Sequence, residues 1–160
     1  MIVWFTGQPN SGKTTLAKAL SEDILTSTDL CACCSKNLLK IQELHFVKHI
    51  DGDDLRKQDN NTDYTILGRR NNVERAYKLA KEYESNGDFV IVSLVSPFKD
   101  QRELYKIESN IKEIYLISSR VREGKMVDYY EPPNDNCITI NTDYLKVEQC
   151  LGIIKDFINK

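Results

Sequence analysis

The chain has 160 residues, enough for one domain that buries roughly two thirds of its unfolded surface. Apolar residues make up 41% and charged residues 29%, so a core can form beneath a charged surface. With 22 basic against 24 acidic residues, net −2, there is no basic excess for a sequence-independent grip on nucleic acid. No run approaches the roughly 20 apolar residues that span a bilayer. Met1 leads straight into Ile2-Val3-Trp4-Phe5 without a basic stretch, so no signal peptide is expected. The five cysteines, an odd number unevenly spread, fit a reducing cytoplasm better than a disulfide scaffold.

The first five residues, β-branched and aromatic, predict a fully buried strand that Gly7 ends. A helix follows Gly12, with Leu16, Ala19, Leu20 and Ile24 on one face. His45 to Ile50 predict a second strand, closing on Asp51-Gly52-Asp53. The next helix, from about Arg69 to Ser85, turns Val73, Ala76, Tyr77, Ala80 and Tyr83 inward and stops at Asn86-Gly87. Phe89 to Val95 is the most apolar run and predicts a central strand. Pro97 breaks it before a short helix over Asp100 to Glu108. Ile114 to Ile117 and Ile138 to Ile140 complete the strands, and a last helix sets Val147, Cys150, Leu151, Ile154 and Ile158 on one side. Such alternation calls for an α/β fold: a mostly parallel five-stranded sheet covered by helices on both faces. No repeat, low-complexity tract or linker divides the chain, so residues 1–160 are expected to form a single domain.

Gly7-Gln8-Pro9-Asn10-Ser11-Gly12-Lys13-Thr14 fits G-x-x-x-x-G-K-[ST], with Thr15 continuing into the helix. The glycines let backbone N–H groups wrap an anion, and the helix adds its positive end. Lys13 reaches the β- and γ-phosphates, and the Thr14 hydroxyl ligates Mg²⁺. A glycine turn with an exposed lysine is the bland alternative, but the strand–loop–helix context argues for binding of a nucleoside triphosphate.

Asp51-Gly52-Asp53-Asp54-Leu55-Arg56 falls at the C-terminal end of a strand, where ligands bind in such sheets. Two carboxylates and a cation there can serve as metal ligand, base and anion clamp. Further on stand Tyr64-Thr65, then Arg69, Asn72, Val73 and Arg75, then Leu94-Val95-Ser96-Pro97-Phe98 with Arg102, then Tyr130-Glu131-Pro132-Pro133. This ordered set resembles the adenylylsulfate (APS) kinases, whose segments are D-G-D-N-x-R, an aromatic-Ser pair, D-R-x-x-N-I-x-R, L-I-S-P-Y and Y-E-x-P.

The resemblance implies a P-loop kinase three-layer sandwich that transfers the ATP γ-phosphate to the 3′-hydroxyl of APS, giving PAPS and ADP. It implies Asp53 as the base and Asp51 in the Mg²⁺ network with Thr14. Arg56 and Arg69 would clamp the acceptor's anion, Tyr64 would stack on its base, and Asn72 would bond near the transferred group. Val95 and Ser96 would border the acceptor. Ser96 carries a phosphoserine role in the family, although a serine before proline is more often a cap. Asp53 and Asp54 also suit turns or helix caps, and Arg69 and Arg75 a solvated helix face. Family members commonly dimerise, so a homodimer is an expectation by resemblance.

The departures matter equally. The family has a long helical lid with a second aromatic before Y-E-x-P; here only Ser118 to Tyr129 stand there, so the lid, about residues 118–133, is reduced. Arg120, Arg122 and Lys125 are candidate phosphate cations or plain loop residues. Asp54 replaces the family's Asn, and Gly68 replaces the acid before Arg69. An insertion over about residues 25–43 holds Cys31, Cys33 and Cys34. With His45 and His49 nearby they suggest a metal, but C-x-C-C lacks paired knuckles and reads as ordinary thiols. Other readings stay open: a kinase for another nucleotide-linked anion such as a cytidine diphosphate derivative, a gluconate- or shikimate-type metabolite kinase, or a nucleotide-binding partner protein without turnover.

Overall fold

Ile2–Gly7 (β1) is buried along its whole length, as an apolar strand must be when both faces of its sheet are covered. The computed structural model describes residues 1–29, 46–120, 126–134 and 136–160. Cys31, Cys33, Cys34, His45, Arg122 and Lys125 lie outside them, as do residues 30–43 of the expected insertion. Residues 25–29 continue the first helix, Lys13–Asp29 (α1).

Val47–Asp51 (β2) leads directly into Gly52–Gln58 (α2), a helix where a turn was expected. Then follow Ile66–Ser85 (α3), Phe89–Ser93 (β3), Lys99–Glu108 (α4), Ile111–Ile117 (β4), Cys137–Asn141 (β5) and Val147–Ile158 (α5). The sheet order is β2-β3-β1-β4-β5 and every pairing is parallel. The middle strand is thus β1, with β3 an interior neighbour. Alternation along the strands builds two cores. Val3, Phe5, Ile91, Ile114 and Leu116 pack with α1 and α5; Ile2, Trp4, Val90 and Val92 pack with Val73, Ala76 and Tyr77 of α3 and Tyr105 of α4. On α1 the inward face uses Ala17, fully buried, with Ala19 only partly so. The helix α3 ends at Asn86, whose N–H bonds back to Glu82, and Gly87 takes a positive φ of 86°.

Among the described residues no helix is long and apolar enough to cross a membrane, and Cys137 and Cys150 are free thiols.

The loops above the C-terminal strand ends are tied down from below by a buried charge cluster. Arg102 of α4 is 3% exposed and Glu113 of β4 is 1% exposed, with Arg102 Nε 2.8 Å from Glu113 Oε1. Lys106 adds a second cation 2.8 Å from Glu113 Oε2. The outer nitrogens of Arg102 donate to the carbonyls of Ser96 and Glu131, both at 2.5 Å. One guanidinium therefore joins the loop after β3 to the Tyr130–Pro133 segment. Removing it would leave Glu113 short of a partner and take one donor from each of two carbonyls. Arg102→Ala is expected to cost roughly 3–5 kcal/mol in urea unfolding; a loss within error of zero would show that the cluster does not hold these loops.

Candidate active site

The phosphate loop lies between β1 and α1. A Cβ on Gly7 would meet the Leu116 carbonyl oxygen, so the turn requires glycine there. Asn10 and Gly12 take positive φ values of 64° and 94°. The loop is held at three points. Ser11 N–H donates to the Gln8 carbonyl at 3.2 Å, and Thr142 Oγ1 donates to the Ser11 carbonyl at 3.0 Å. The Gln8 side chain bonds both backbone groups of Val127, Nε2 to its carbonyl and Oε1 from its N–H, each at 3.0 Å.

Lys13 is 8% exposed and folds its ammonium back onto this loop, 2.7 Å from the Gln8 carbonyl. Burial lowers its pKa to about 8, although Asp53 and Asp51 pull it upward. A cation held by neutral oxygens in a half-dry pocket is a receptor for an anion.

Asp51 ends β2 and caps α2. Its Oδ1 accepts the backbone N–H of Asp53 at 2.9 Å and of Asp54 at 3.4 Å. Its Oδ2 accepts the hydroxyls of Thr14 at 2.7 Å and Ser93 at 2.9 Å. Burial alone would raise this carboxyl, but the Thr14 and Ser93 hydroxyls and the two amides outweigh it and hold the pKa below the usual range. His49 sits 2.9 Å from the same Ser93 hydroxyl. Its pKa is lowered by burial, partly offset by Asp51.

A cavity of about 700 Å³ opens over these groups. Of the residues singled out by sequence, Pro9, Asn10, Gly12, Lys13, Thr14, Thr15, Asp51, Asp53, Arg56, Tyr64, Arg69, Asn72, Val95 and Ser96 line it. Gly7, Gln8 and Ser11 are not part of its wall; they shape the loop from behind.

Asp53 sits in the first turn of α2, with Arg56 one turn later. Arg56 is buried and already engaged: it donates to the Asp63 carbonyl at 2.5 Å, to Asn61 Oδ1 at 3.3 Å and to the Gly68 carbonyl at 3.4 Å. Its guanidinium carbon lies 4.4 Å from the Tyr64 ring centre, and that of Arg69 lies 5.4 Å away. Tyr64 thus carries two cations beside its ring. Asn72 bonds the Gly52 carbonyl at 3.4 Å through Nδ2, while its Oδ1 is buried without a partner among the described residues. Arg75 turns away from the cavity to bond the Leu55 carbonyl and pair with Asp59, tying α3 to α2. Gly68 is required by packing, since a Cβ there would run into the Asp63 carboxyl and its backbone carbonyl.

Ser96 is 1% exposed with a positive φ of 43°, and its hydroxyl accepts the Trp4 indole N–H at 2.9 Å. The Val95 carbonyl accepts the Thr6 hydroxyl at 2.9 Å, and Thr6 meets the Tyr130 hydroxyl at 2.8 Å. Arg120 borders the cavity and is held by Ser118, the Thr142 hydroxyl and Asp143. Asp143 is kept at about 2 by the Ser118 hydroxyl, the Ser119 amide and Arg120. Ser93 and Met126, which line the cavity, and Thr142 behind it carry no motif in the sequence, and His49, weighed there only as a metal neighbour of the cysteines, lies behind Asp51 on the Ser93 hydroxyl. Ser93 left a signal, a polar side chain within the most apolar run.

The family model for adenylylsulphate kinase matches residues 1–122. The adenylyl-sulfate kinase of Clostridium kluyveri is 26% identical over 182 residues, spanning 99% of this chain and 83% of that one. That of Thermodesulfovibrio yellowstonii is 29% identical over 180 residues, covering 96% of this chain and 82% of its own length. The solved APS kinase of Mycobacterium tuberculosis in complex with AMPPNP and APS superposes with a TM-score of 0.76 over 99% of this chain and 97% of that one, at 19% identity, and so shares the fold.

Lys13 gives a pH dependence of known sign. Its folded pKa of about 8 lies below the ordinary 10.5, so between those values the unfolded chain binds more protons, and stability should rise with pH across that window. A bound triphosphate favours the ammonium and raises that pKa. ATP binding near pH 8.5–9 is therefore expected to take up a proton, read as a dependence of calorimetric heat on buffer ionisation enthalpy. Equal heats in all buffers at that pH would mean Lys13 does not meet the phosphates.

Proposed function

The chain belongs to the adenylylsulphate kinase family, and on that premise we propose that it transfers the γ-phosphoryl group of ATP to the 3′-hydroxyl of adenylyl sulfate, giving PAPS and ADP. The observation that carries this reading is one cavity lined by a phosphate-loop cation, two carboxylates and an arginine pair. Lys13 and the loop N–H groups receive the β- and γ-phosphates. Asp53 accepts the proton of the attacking 3′-hydroxyl as the new O–P bond forms and the bond to the β-phosphate oxygen breaks. Lys13, left of its hold on the Gln8 carbonyl, follows the charge that develops there. Arg69, with Arg56 behind it, meets the acceptor's phosphosulfate. Asn72 Oδ1, which has no partner in the described residues, takes a hydrogen bond from the acceptor.

Mg²⁺ fits the donor side. Thr14 donates its only hydroxyl proton to Asp51, so its lone pairs are free for a cation, and the Asp51 carboxylate oxygen lies 2.7 Å away. When bound, the ion supplies neutralisation of phosphate charge. Thr14 would ligate it, and Asp51, whose oxygens already accept four hydrogen bonds, would hold it through the surrounding water network; the chain's own work is to aim Lys13 and Asp53. Ser96, with its hydroxyl on Trp4, is a positioning residue for the loop after β3 rather than a group in the chemistry. The same reading takes residues 1–160 as one domain with a shortened lid, a cytoplasmic setting and a homodimer.

A second reading draws on Tyr64. Its ring already faces two guanidiniums, so the clamp reads an anion before it reads a base. Another nucleotide-linked anion, or a sugar acid without a base, would meet the same pair.

Steady-state kinetics separate these roles. Asp53→Asn is expected to lower kcat at least about 10²-fold with ATP affinity kept. Arg69→Ala should raise the APS KM about 10- to 150-fold and leave the ATP KM nearly constant. Arg56→Ala is a poorer probe, because Arg56 also holds three backbone and side-chain oxygens and its loss would loosen α2. Tyr64→Ala should penalise only acceptors that bear a base. Equal weakening of ATP and acceptor by Arg69→Ala would move that arginine to the donor side and dissolve the proposed acceptor pocket.

A further inference from the structure

Two polar side chains behind Asp51 have no part in the reaction as read above. Ser93 is 2% exposed at the end of β3, paired in register with Asp51 of β2. His49 lies two residues before Asp51, on the same face of β2, half-buried.

The hydrogens can be assigned by elimination. The Ser93 hydroxyl has one proton. Asp51 Oδ2, 2.9 Å away, can only accept, so that proton points at Asp51. His49 Nε2, 2.9 Å from the same oxygen, must then be the donor. Both the neutral Nε2–H tautomer and the imidazolium donate there, so the arrangement does not depend on the charge of the ring. On the other side, Thr14 Oγ1 donates to the same Asp51 oxygen at 2.7 Å. A single directed chain results: His49 to Ser93 to Asp51, with Thr14 meeting it from α1.

The chain solves a mechanical problem. Asp51 Oδ1 accepts two amides of α2, at 2.9 and 3.4 Å, and the longer bond is a loose restraint, so the rotation of the whole carboxylate about Cβ–Cγ is fixed only when Oδ2 is also held. Thr14 is an exposed residue on a different element and is a weak anchor for it. Ser93 is anchored in the interior strand β3. A lone serine hydroxyl would rotate among acceptors; the histidine N–H occupies one lone pair and leaves the proton facing Asp51.

We propose that His49 and Ser93 are positioning residues that lock Asp51 Oδ2 toward Thr14 and thereby set the affinity of the donor site for Mg²⁺. The inference rests on the reading of Thr14 and Asp51 as the metal-holding pair, and its test separates the two.

The test is calorimetry of ATP binding to the full chain, in EDTA and across a series of free Mg²⁺ concentrations. Ser93→Ala should raise the Mg²⁺ concentration for half-maximal enhancement about tenfold, the scale of one hydrogen bond to a carboxylate. Metal-free ATP affinity should stay within about twofold, because Lys13 and the loop amides are untouched. His49→Leu should shift the midpoint in the same direction by less, His49→Gln should restore most of it, and His49→Leu should add nothing in the Ser93→Ala background. Ser93→Cys, a weaker donor of similar size, gives the same comparison should Ser93→Ala not fold.

Full additivity of the two substitutions, a parallel fall in metal-free ATP binding, or an unmoved Mg²⁺ midpoint in Ser93→Ala while Asp51→Asn shifts it, would each overturn the inference. An unmoved midpoint in Asp51→Asn itself would instead remove the metal-holding pair on which it stands.

Discussion

The Asp51 carboxylate is the interaction on which the remaining architecture depends. It receives four hydrogen bonds, from Thr14, Ser93 and the amides of Asp53 and Asp54. Those donors come from α1, β3 and the first turn of α2, so a single anion ties together three elements around the end of β2. Partial burial of the charge is unfavourable, and the directed donors more than offset it; hence the depressed pKa. The capped helix α2 then presents Asp53 and Arg56 at its cavity end. On our reading, donor-side metal, base and acceptor clamp all take their positions from this one group.

Above the sheet the constraints are of another kind. Arg102 and Glu113 carry charge into the core and use it to fix two loop carbonyls, at Ser96 and Glu131. Gln8 performs a similar service between the phosphate loop and Val127. Val127 is thereby docked onto the phosphate loop. The chain matches its curated relatives over nearly its full length while spanning about 83% of the Clostridium kluyveri protein.

Much of this was legible in sequence, and the reasons differ by residue. The phosphate loop is contiguous, so its spacing alone places Lys13 and Thr14. The long helices α3 and α5 carry enough apolar repeats to declare a face. By contrast, α2 escaped: seven residues with Leu55 as the one apolar anchor give no period, and Asp-Gly-Asp reads as a turn until Asp51 is seen capping. The contacts of His49 with Ser93, and of Arg102 with Glu113, depend on which strands and helices are neighbours, which spacing along the chain does not encode. Arg75 and Arg56 show the converse difficulty. Both belong to the ordered motif set, yet one faces α2 and the other is already bonded to its own loop.

The central claim is tested most directly by the products the chain makes. Purified protein with Mg-ATP would be offered APS, other nucleotide anions and sugar acids together, and the mixture read by mass spectrometry. The account predicts one new species, APS carrying an added phosphoryl group on its 3′-hydroxyl, formed with equal ADP. Phosphorylation of a sugar acid or another nucleotide anion while APS stays unchanged would contradict it.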